Sequence, residues 1–436
     1  MIAPRAQQIV SLEFVESCWQ DILAFSELNS GQLPLLRTLK ITSSETFDSH
    51  GQRTVEMPPS LRFFKGSINL QQFDLCSWRL SSLSHFIFPN LATFRLLPWP
   101  TSEGIDASCL FDFLKASPML QTVEMNISAK IKLTSIPQEM VVILPNVKTF
   151  SLHAPDGPAL RLYNFTSHIS CPCAKFTSLT HDTYGDDMRA SQGVFPTLAE
   201  WNTIVRQYAA SPIEEVTLDI KRSEGEEIAG FLTFQSPGAI VVRSGFTVHK
   251  IGAEEDEEEE EEELHMSLEE MGWAIFSQAL TAIRIHPQLS HVKRLHINNR
   301  GAMLDTYQLP SVANRVWRLL GSLGPLDKLT VYRCDLHILL ADFLNTNDLV
   351  LSPLERPVAF PQVKEFKISY LAVKSDEVQC MGMILELANS QHALGIPFER
   401  VTVRMRRLYT KMVEELRQWV ATVDCGVWRA EEEEEV

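Results

Sequence analysis

One short pattern recurs along this chain and limits what it can fold into. It reads apolar, two variable residues, apolar, one variable, apolar, usually with a proline one or two places upstream. LPLLRTLKI (Leu33–Ile41), FPNLATFRL (Phe88–Leu96), SPMLQTVEM (Ser117–Met125) and LPNVKTFSL (Leu144–Leu152) carry it in the first half. SPIEEVTL (Ser211–Leu218), GPLDKLTV (Gly324–Val331), FPQVKEFKI (Phe360–Ile368) and IPFERVTV (Ile396–Val403) carry it in the second. Weaker copies are IVSLEF (Ile9–Phe14), FTSLTH (Phe176–His181) and VKRLHI (Val292–Ile297). The first apolar positions are 9, 36, 61, 91, 120, 147, 176, 213, 292, 326, 363 and 398. The third copy is ambiguous, because LRFFKG at Leu61 competes with LQQFDL at Leu70. The long step from 213 to 292 is expected to hide a degenerate copy. Such near-constant spacing is the mark of a repeat architecture.

Each copy predicts one short strand. Its last two apolar residues flank a polar one and so share a face. The upstream proline cannot continue a helix and donates no ladder hydrogen bond, which places it at the strand entry. Helical patterns are expected between copies, at Cys109–Ala116, Leu198–Ala209, Leu268–Ile285, Val312–Leu323, Asp376–Gln391 and Tyr409–Val423. A strand and a helix in each repeat predict the fold class. It is α/β, an irregular leucine-rich-repeat-like solenoid with parallel strands stacked on one face and helices on the other. LDKLTVYRCDL (Leu326–Leu336) fits the full leucine-rich signature, with Cys334 turning inward beneath the strand.

Charge divides the chain further. The net charge of −16 is concentrated in ten consecutive acids at Glu254–Glu263 and five at Glu431–Glu435. Setting those fifteen aside leaves 40 acidic residues against 39 basic ones, so the rest is nearly neutral. Like charges in series repel and do not pack, so both runs are expected to be solvated. The expected organisation is 1–250, the first part of the array; 251–266, an acidic disordered insertion; 267–425, the second part; and 426–436, an acidic tail. The opening MIAPRAQQIVSLEFVESCWQ lacks a basic end and a continuous apolar stretch, and the eight cysteines are too few for a disulfide scaffold. A cytoplasmic or nuclear location is expected, with no membrane partner.

The proline-led copies resemble the leucine-rich-like region of the fungal, basidiomycete-type F-box protein families, over nearly the whole chain from Ile9 to Val423. In those families an N-terminal F-box docks on the adaptor of a cullin ubiquitin ligase, and the repeats bind the substrate. The resemblance implies a substrate-recognition or scaffold role. No clear F-box is evident here. LPSVANRVWRLLGSL (Leu309–Leu323) looks like one superficially, but it lies inside the array and lacks the acidic residue. The ligase adaptor is therefore expected as a partner only if an F-box precedes these residues in a longer protein.

No phosphate-binding loop, dinucleotide fingerprint, nucleophile elbow or HExxH helix is present, and no catalytic residue or cofactor is expected. Cys171 and Cys173 have no second pair at zinc spacing and read as loop cysteines. His181, Asp182, Asp186 and Asp187 form the best local cluster of ligand types, but they follow a strand, where loops are polar in any case. No metal site is assigned. Trp19, Trp201, Trp317 and Trp419 fall at apolar helical phase and read as core.

What remains is binding. The residues flanking the middle apolar position of each copy face outward on the stacked strands. The candidate partner-binding residues are Arg95, Glu124, Glu215, Arg294, His296, Lys328, Glu365, Lys367 and Arg400, with Thr330 among the outward neighbours. Their mixed sign argues against nucleic acid, which needs a net basic stripe. The alternative function is an inhibitor or binder of basic proteins such as histones, acting through the acidic loop. Leu329, the middle apolar residue of the best copy, is expected to be buried, and Lys328 beside it exposed.

Overall fold

The computed structural model describes residues 8–17, 33–43, 69–76, 83, 88–97, 105–127, 131–132, 140–154, 164–184, 213–222, 228–236, 241–249, 292–300, 326–332, 363–369, 377–405, 407 and 409–427. The expected helices at Leu198–Ala209, Leu268–Ile285 and Val312–Leu323 lie outside them. So do both acidic runs, Cys334, Trp19, Trp201 and Trp317. The chain divides into two compact units. The first is Met1–Thr183 with Asn202–Ala210 and Ile240–Arg243; the second is Tyr184–Trp201, Ser211–Ala239 and Ser244–Val436. Both are α/β with open sheets, and nearly all of their strand pairs are parallel.

The first unit carries β1 (Ser11–Ser17), β2 (Thr38–Ser43), β3 (Gln72–Cys76), β4 (Thr93–Leu97), β5 (Ile105–Asp106), α1 (Ala107–Lys115), β6 (Thr122–Asn126), β7 (Ile131–Lys132), β8 (Val142–Ile143), β9 (Thr149–Ala154), β10 (Ile169–Ser170) and β11 (Phe176–Tyr184). The main sheet runs β1-β2-β3-β4-β6-β9-β11, one strand per copy, and every pair is parallel; the register is continuous except for an irregularity between Phe14 and Ser17 of β1. Two short parallel pairs, β5 with β7 and β8 with β10, repeat the same step.

Proline sets the entry to these strands. Leu36, Leu91, Leu120, Val147 and Ala174 each donate their N–H to the carbonyl three residues back, at 3.0 to 3.4 Å, closing a β-turn with proline at its second position. The pyrrolidine ring presets the backbone angle this position needs. Asparagine then ties one turn to the turn before it: Asn69 Nδ2 donates to the Pro34 carbonyl at 2.7 Å and Asn146 Nδ2 to that of Pro118 at 3.0 Å.

The inward residues make the core. Leu39, Phe73, Phe94, Val123 and Phe150 line up across the strands and are fully buried. α1 covers this face with an aromatic cluster, in which the Phe113 ring stands 4.7 Å from Phe94 and 6.3 Å from Phe73. Leu70 is buried and leads into β3, which settles the third copy in favour of LQQFDL; the competing LRFFKG lies outside the described residues.

The copy expected to begin at Phe176 begins two residues earlier. β11 aligns Phe176 with Thr149 and Leu179 with Leu152, so the repeat begins at Ala174. Ala174, Thr177 and Leu179 face inward, whereas Phe176 is 37% exposed. The turn Cys171-Pro172-Cys173-Ala174 dictates this register. Sequence reading fixed on Phe176 because small residues occupy two of the three inward places.

The second unit carries β12 (Glu215–Arg222), β13 (Ile228–Gln235), β15 (Arg294–Arg300), β16 (Lys328–Tyr332), β17 (Glu365–Ser369), α2 (Glu377–Ala393), β18 (Arg400–Met405), α3 (Thr410–Leu416) and β19 (Thr422–Val427); β14 (Val241–His249) is divided between the units after Arg243. Its sheet runs β13-β12-β15-β16-β17-β18-β19. β12 pairs in parallel directly with β15, so no copy stands between those two strands. Within the long step the described residues hold β13, antiparallel to β12, and β14, which adjoins β11 in the sheet, its Val241 N–H donating to the Lys175 carbonyl at 2.8 Å.

The helix expected over Tyr409–Val423 stops at Leu416, and β19 follows. Val420 is buried and Val423 and Cys425 occupy the next apolar places, which makes a further copy parallel to β18. Val423, Cys425 and Val427 alternate along this strand, the period of a strand rather than of a helix. Among the described residues no helix is long and apolar enough to cross a membrane.

Candidate functional site

The outward positions form rows that run across the strands, because the parallel pairs keep one register through these positions. In the first unit one row reads Glu13, Lys40, Asp74, Arg95, Glu124. Its charge alternates at each strand. Lys40 donates to the Glu13 carboxylate, and Arg95 Nε lies 2.9 Å from Glu124 Oε2. The hydrogen bond to Glu13, and then its charge, hold the Lys40 ammonium above the ordinary lysine value. Asp74 is buried and accepts from Gln72 Nε2 at 2.9 Å. The predicted pair Arg95 and Glu124 is thus brought together as an ion pair, half exposed at its end of the row.

In the second unit the corresponding row is Glu215, Arg294, Lys328, Glu365, Arg400. Arg294 Nε is 3.2 Å from Glu215, and Lys328 Nζ is 3.4 Å from Glu365. Arg400 sits opposite Glu365 at the far side of the row. One step along the strands lie His296, Thr330, Lys367 and Thr402. His296 Nε2 is 3.5 Å from Glu215, while Lys367 Nζ stands 5.3 Å above the Tyr332 ring, a cation–π contact. Burial pushes the His296 pKa down, and Lys328, Arg294 and Lys367 add to that shift against the opposing pull of Glu215. The nine predicted residues therefore fall into two groups, two in the first unit and seven in the second.

Thr330 departs from expectation. Its position faces outward, yet it is fully buried and its hydroxyl has no hydrogen-bond partner among the described residues. A short side chain between His296 and Lys367 on the adjacent strands is enclosed by longer neighbours.

Sequence reasoning missed Arg404 and Asp424. Arg404 grips Asp424 with two guanidinium nitrogens at 3.1 and 3.0 Å, a bidentate pair that holds the Asp424 carboxyl below its ordinary value. The signal was present in the spacing of Val420, Val423 and Cys425, but the helical reading of that segment concealed the strand.

The two cysteines of the Cys171-Pro-Cys173 turn point in different directions. Cys171 is buried, and desolvation pushes its thiol up to about 12; Cys173 is exposed. His181 is buried, and Asp182 lies 3.5 Å from His153, which also meets the Thr180 hydroxyl at 2.9 Å. Asp186 and Asp187 lie outside the described residues, among which no cluster of three metal-ligating side chains occurs. Trp419 is half-buried in the turn after α3. On these faces opposite charges stand side by side, an arrangement suited to reading a complementary surface by geometry and charge pattern. No family model matches the chain, and comparison with curated proteins finds no match.

Proposed function

We propose that this chain is a non-enzymatic protein-binding array, an irregular leucine-rich-repeat-like solenoid with a substrate-recognition or scaffold role similar to that of F-box ubiquitin-ligase receptors. The observation that carries this reading is the cross-strand register. It converts single outward side chains into straight rows of fixed charge order, from Glu13 to Glu124 in one unit and from Glu215 to Arg400 in the other. Surfaces of this kind contribute to specificity more than to raw affinity, because a partner must match the order of signs. Docking on a ligase adaptor would need an F-box, and no clear one is evident in the sequence.

The second reading rests on Glu254–Glu263, ten acids in a chain otherwise nearly neutral. In it, the run itself binds basic proteins such as histones.

One experiment separates them. Partners captured by the full chain are identified by mass spectrometry and compared with those of two variants. One variant is Arg294→Ala with Lys367→Ala; the other deletes Glu254–Glu263. Partners lost only with the first support the sheet-face reading, and partners lost only with the deletion support the second. An unchanged set in both would sink the two together.

A further inference from the structure

The entry edge of the first unit's sheet differs from that of the second. In the second unit the residues just before β12, β15, β16, β17 and β18 are Glu214, Lys293, Asp327, Lys364 and Glu399, joined in order by main-chain hydrogen bonds of 2.8 or 2.9 Å. Their sign alternates without exception, and Lys293–Glu214 and Lys364–Glu399 are ion pairs at 3.6 and 3.4 Å. In the first unit the same row begins at Val10 and continues through Arg37, Gln71, Ala92, Gln121, Lys148 and Lys175. Each N–H again donates to the preceding carbonyl, at 2.7 or 2.8 Å, so the row is held rigidly.

No acid stands in this row, nor among the turn residues and strand starts that flank it among the described residues. Arg37, Lys148 and Lys175 are exposed and have no acidic partner among those residues, and the two lysines are neighbours across the ladder. Like charges placed so are destabilising by themselves.

A cleft of about 280 Å³ opens in the middle of the row, lined by Asn69, Gln71, Asn90, Ala92, Met119 and Gln121. It exists because Ala92 is short where the copies on either side carry Gln71 and Gln121. Its lining holds no charge. The side-chain amides of Gln71 and Gln121 on its two walls make no hydrogen bond to the described residues, and each offers a donor and an acceptor. The backbone beneath is already occupied by the ladder, so these two amides are the groups a ligand would meet.

The geometry points to this edge as a docking site for an extended acidic peptide from a protein partner. Its main chain lies across the amide cleft, and its carboxylates reach Lys148 and Lys175 on one side and Arg37 on the other. Five strand spacings separate Arg37 from Lys175, roughly 24 Å, the length of about seven extended residues. A main chain offers the donors and acceptors that the glutamines match. A polyanion without amides would use the cations and ignore the cleft. The proposal rests on the protein-binding reading above and names a partner chemistry for a second surface of the same sheet.

The test uses the full chain and a fluorescent peptide of alternating Glu and Ser, about eight residues long, followed by anisotropy. Binding that weakens with salt is expected, with no binding of the Lys/Ser counterpart. Lys148→Glu with Lys175→Glu should weaken it by about tenfold or more. Ala92→Gln, which fills the cleft at constant charge, should weaken it several-fold, and so should Gln71→Ala with Gln121→Ala, which adds no bulk; thermal melts confirm that each variant is folded. Three results would each overturn the proposal: no binding of the acidic peptide, indifference to both cleft variants, or equal competition by a thymidine oligonucleotide of the same charge. If capture of partners still depends on Arg294 and Lys367 while the acidic peptide fails to bind, the protein-binding reading stands and this one alone falls.

Discussion

Leu329 and Lys328 are adjacent in sequence and opposite in environment. Leu329 is fully buried among the inward residues, where truncation leaves a cavity in close-packed surroundings. Leu329→Ala should cost roughly 2–5 kcal/mol. Lys328 keeps about a third of its side chain in solvent and reaches Glu365 across 3.4 Å. Half-exposed pairs of this kind are screened, so Lys328→Ala should change stability by less than about 1 kcal/mol. Urea unfolding of the two variants checks both numbers, and comparable losses would contradict the assigned strand phase. The same alternation was legible at most copies in the pattern alone. It misled at Phe176 and Thr330, where the neighbouring strands decide which side chain meets water.

At the scale of elements, the clearest device is the end of α2. Gly395 has φ +78°, and the Ile396 and Gly395 N–H groups donate to the Gln391 and His392 carbonyls at 3.1 and 3.0 Å. This satisfies helix carbonyls that would otherwise lack partners. A Cβ at Gly395 would meet nothing within 4 Å, so the cost of Gly395→Ala is conformational alone, roughly 1 kcal/mol. Gly382 lies in the middle of the same helix, and a Cβ there also meets nothing within 4 Å. Gly382→Ala should therefore stabilise, by about 0.5–1 kcal/mol. Opposite signs in thermal melts are the expected outcome; equal signs would refute the terminal geometry. Sequence reading placed this helix to within a residue or two, because its apolar content is dense and Gly-Ile-Pro follows it. It failed over Tyr409–Val423, where a short helix, a turn and a strand share one apolar phase.

For the molecule as a whole the charge distribution makes a separate prediction. The net charge of −16 falls to −1 once the fifteen acids of Glu254–Glu263 and Glu431–Glu435 are set aside. Runs of exposed like charge contribute little to packing and repel one another. A chain lacking both should melt within a few degrees of the full chain, as calorimetry would show. A large loss of stability would mean that a run is docked on a basic surface of the folded chain.

The sequence by itself determined the periodic elements: an apolar triplet per copy, a proline turn before it, and the parity that sends polar residues to one face. Those follow from local chemistry, since proline fixes a backbone angle and strand side chains alternate by geometry. Only the tertiary structure decided what depends on register between distant segments. It chose Leu70 over Leu61, began a copy at Ala174, and joined β12 to β15 across the long step. It also set Arg95 beside Glu124 and Arg404 against Asp424, and left Arg37, Lys148 and Lys175 without acids among the described residues. Cross-strand neighbours are about twenty to eighty residues apart in sequence, and which of them meet is fixed only when the strands pair.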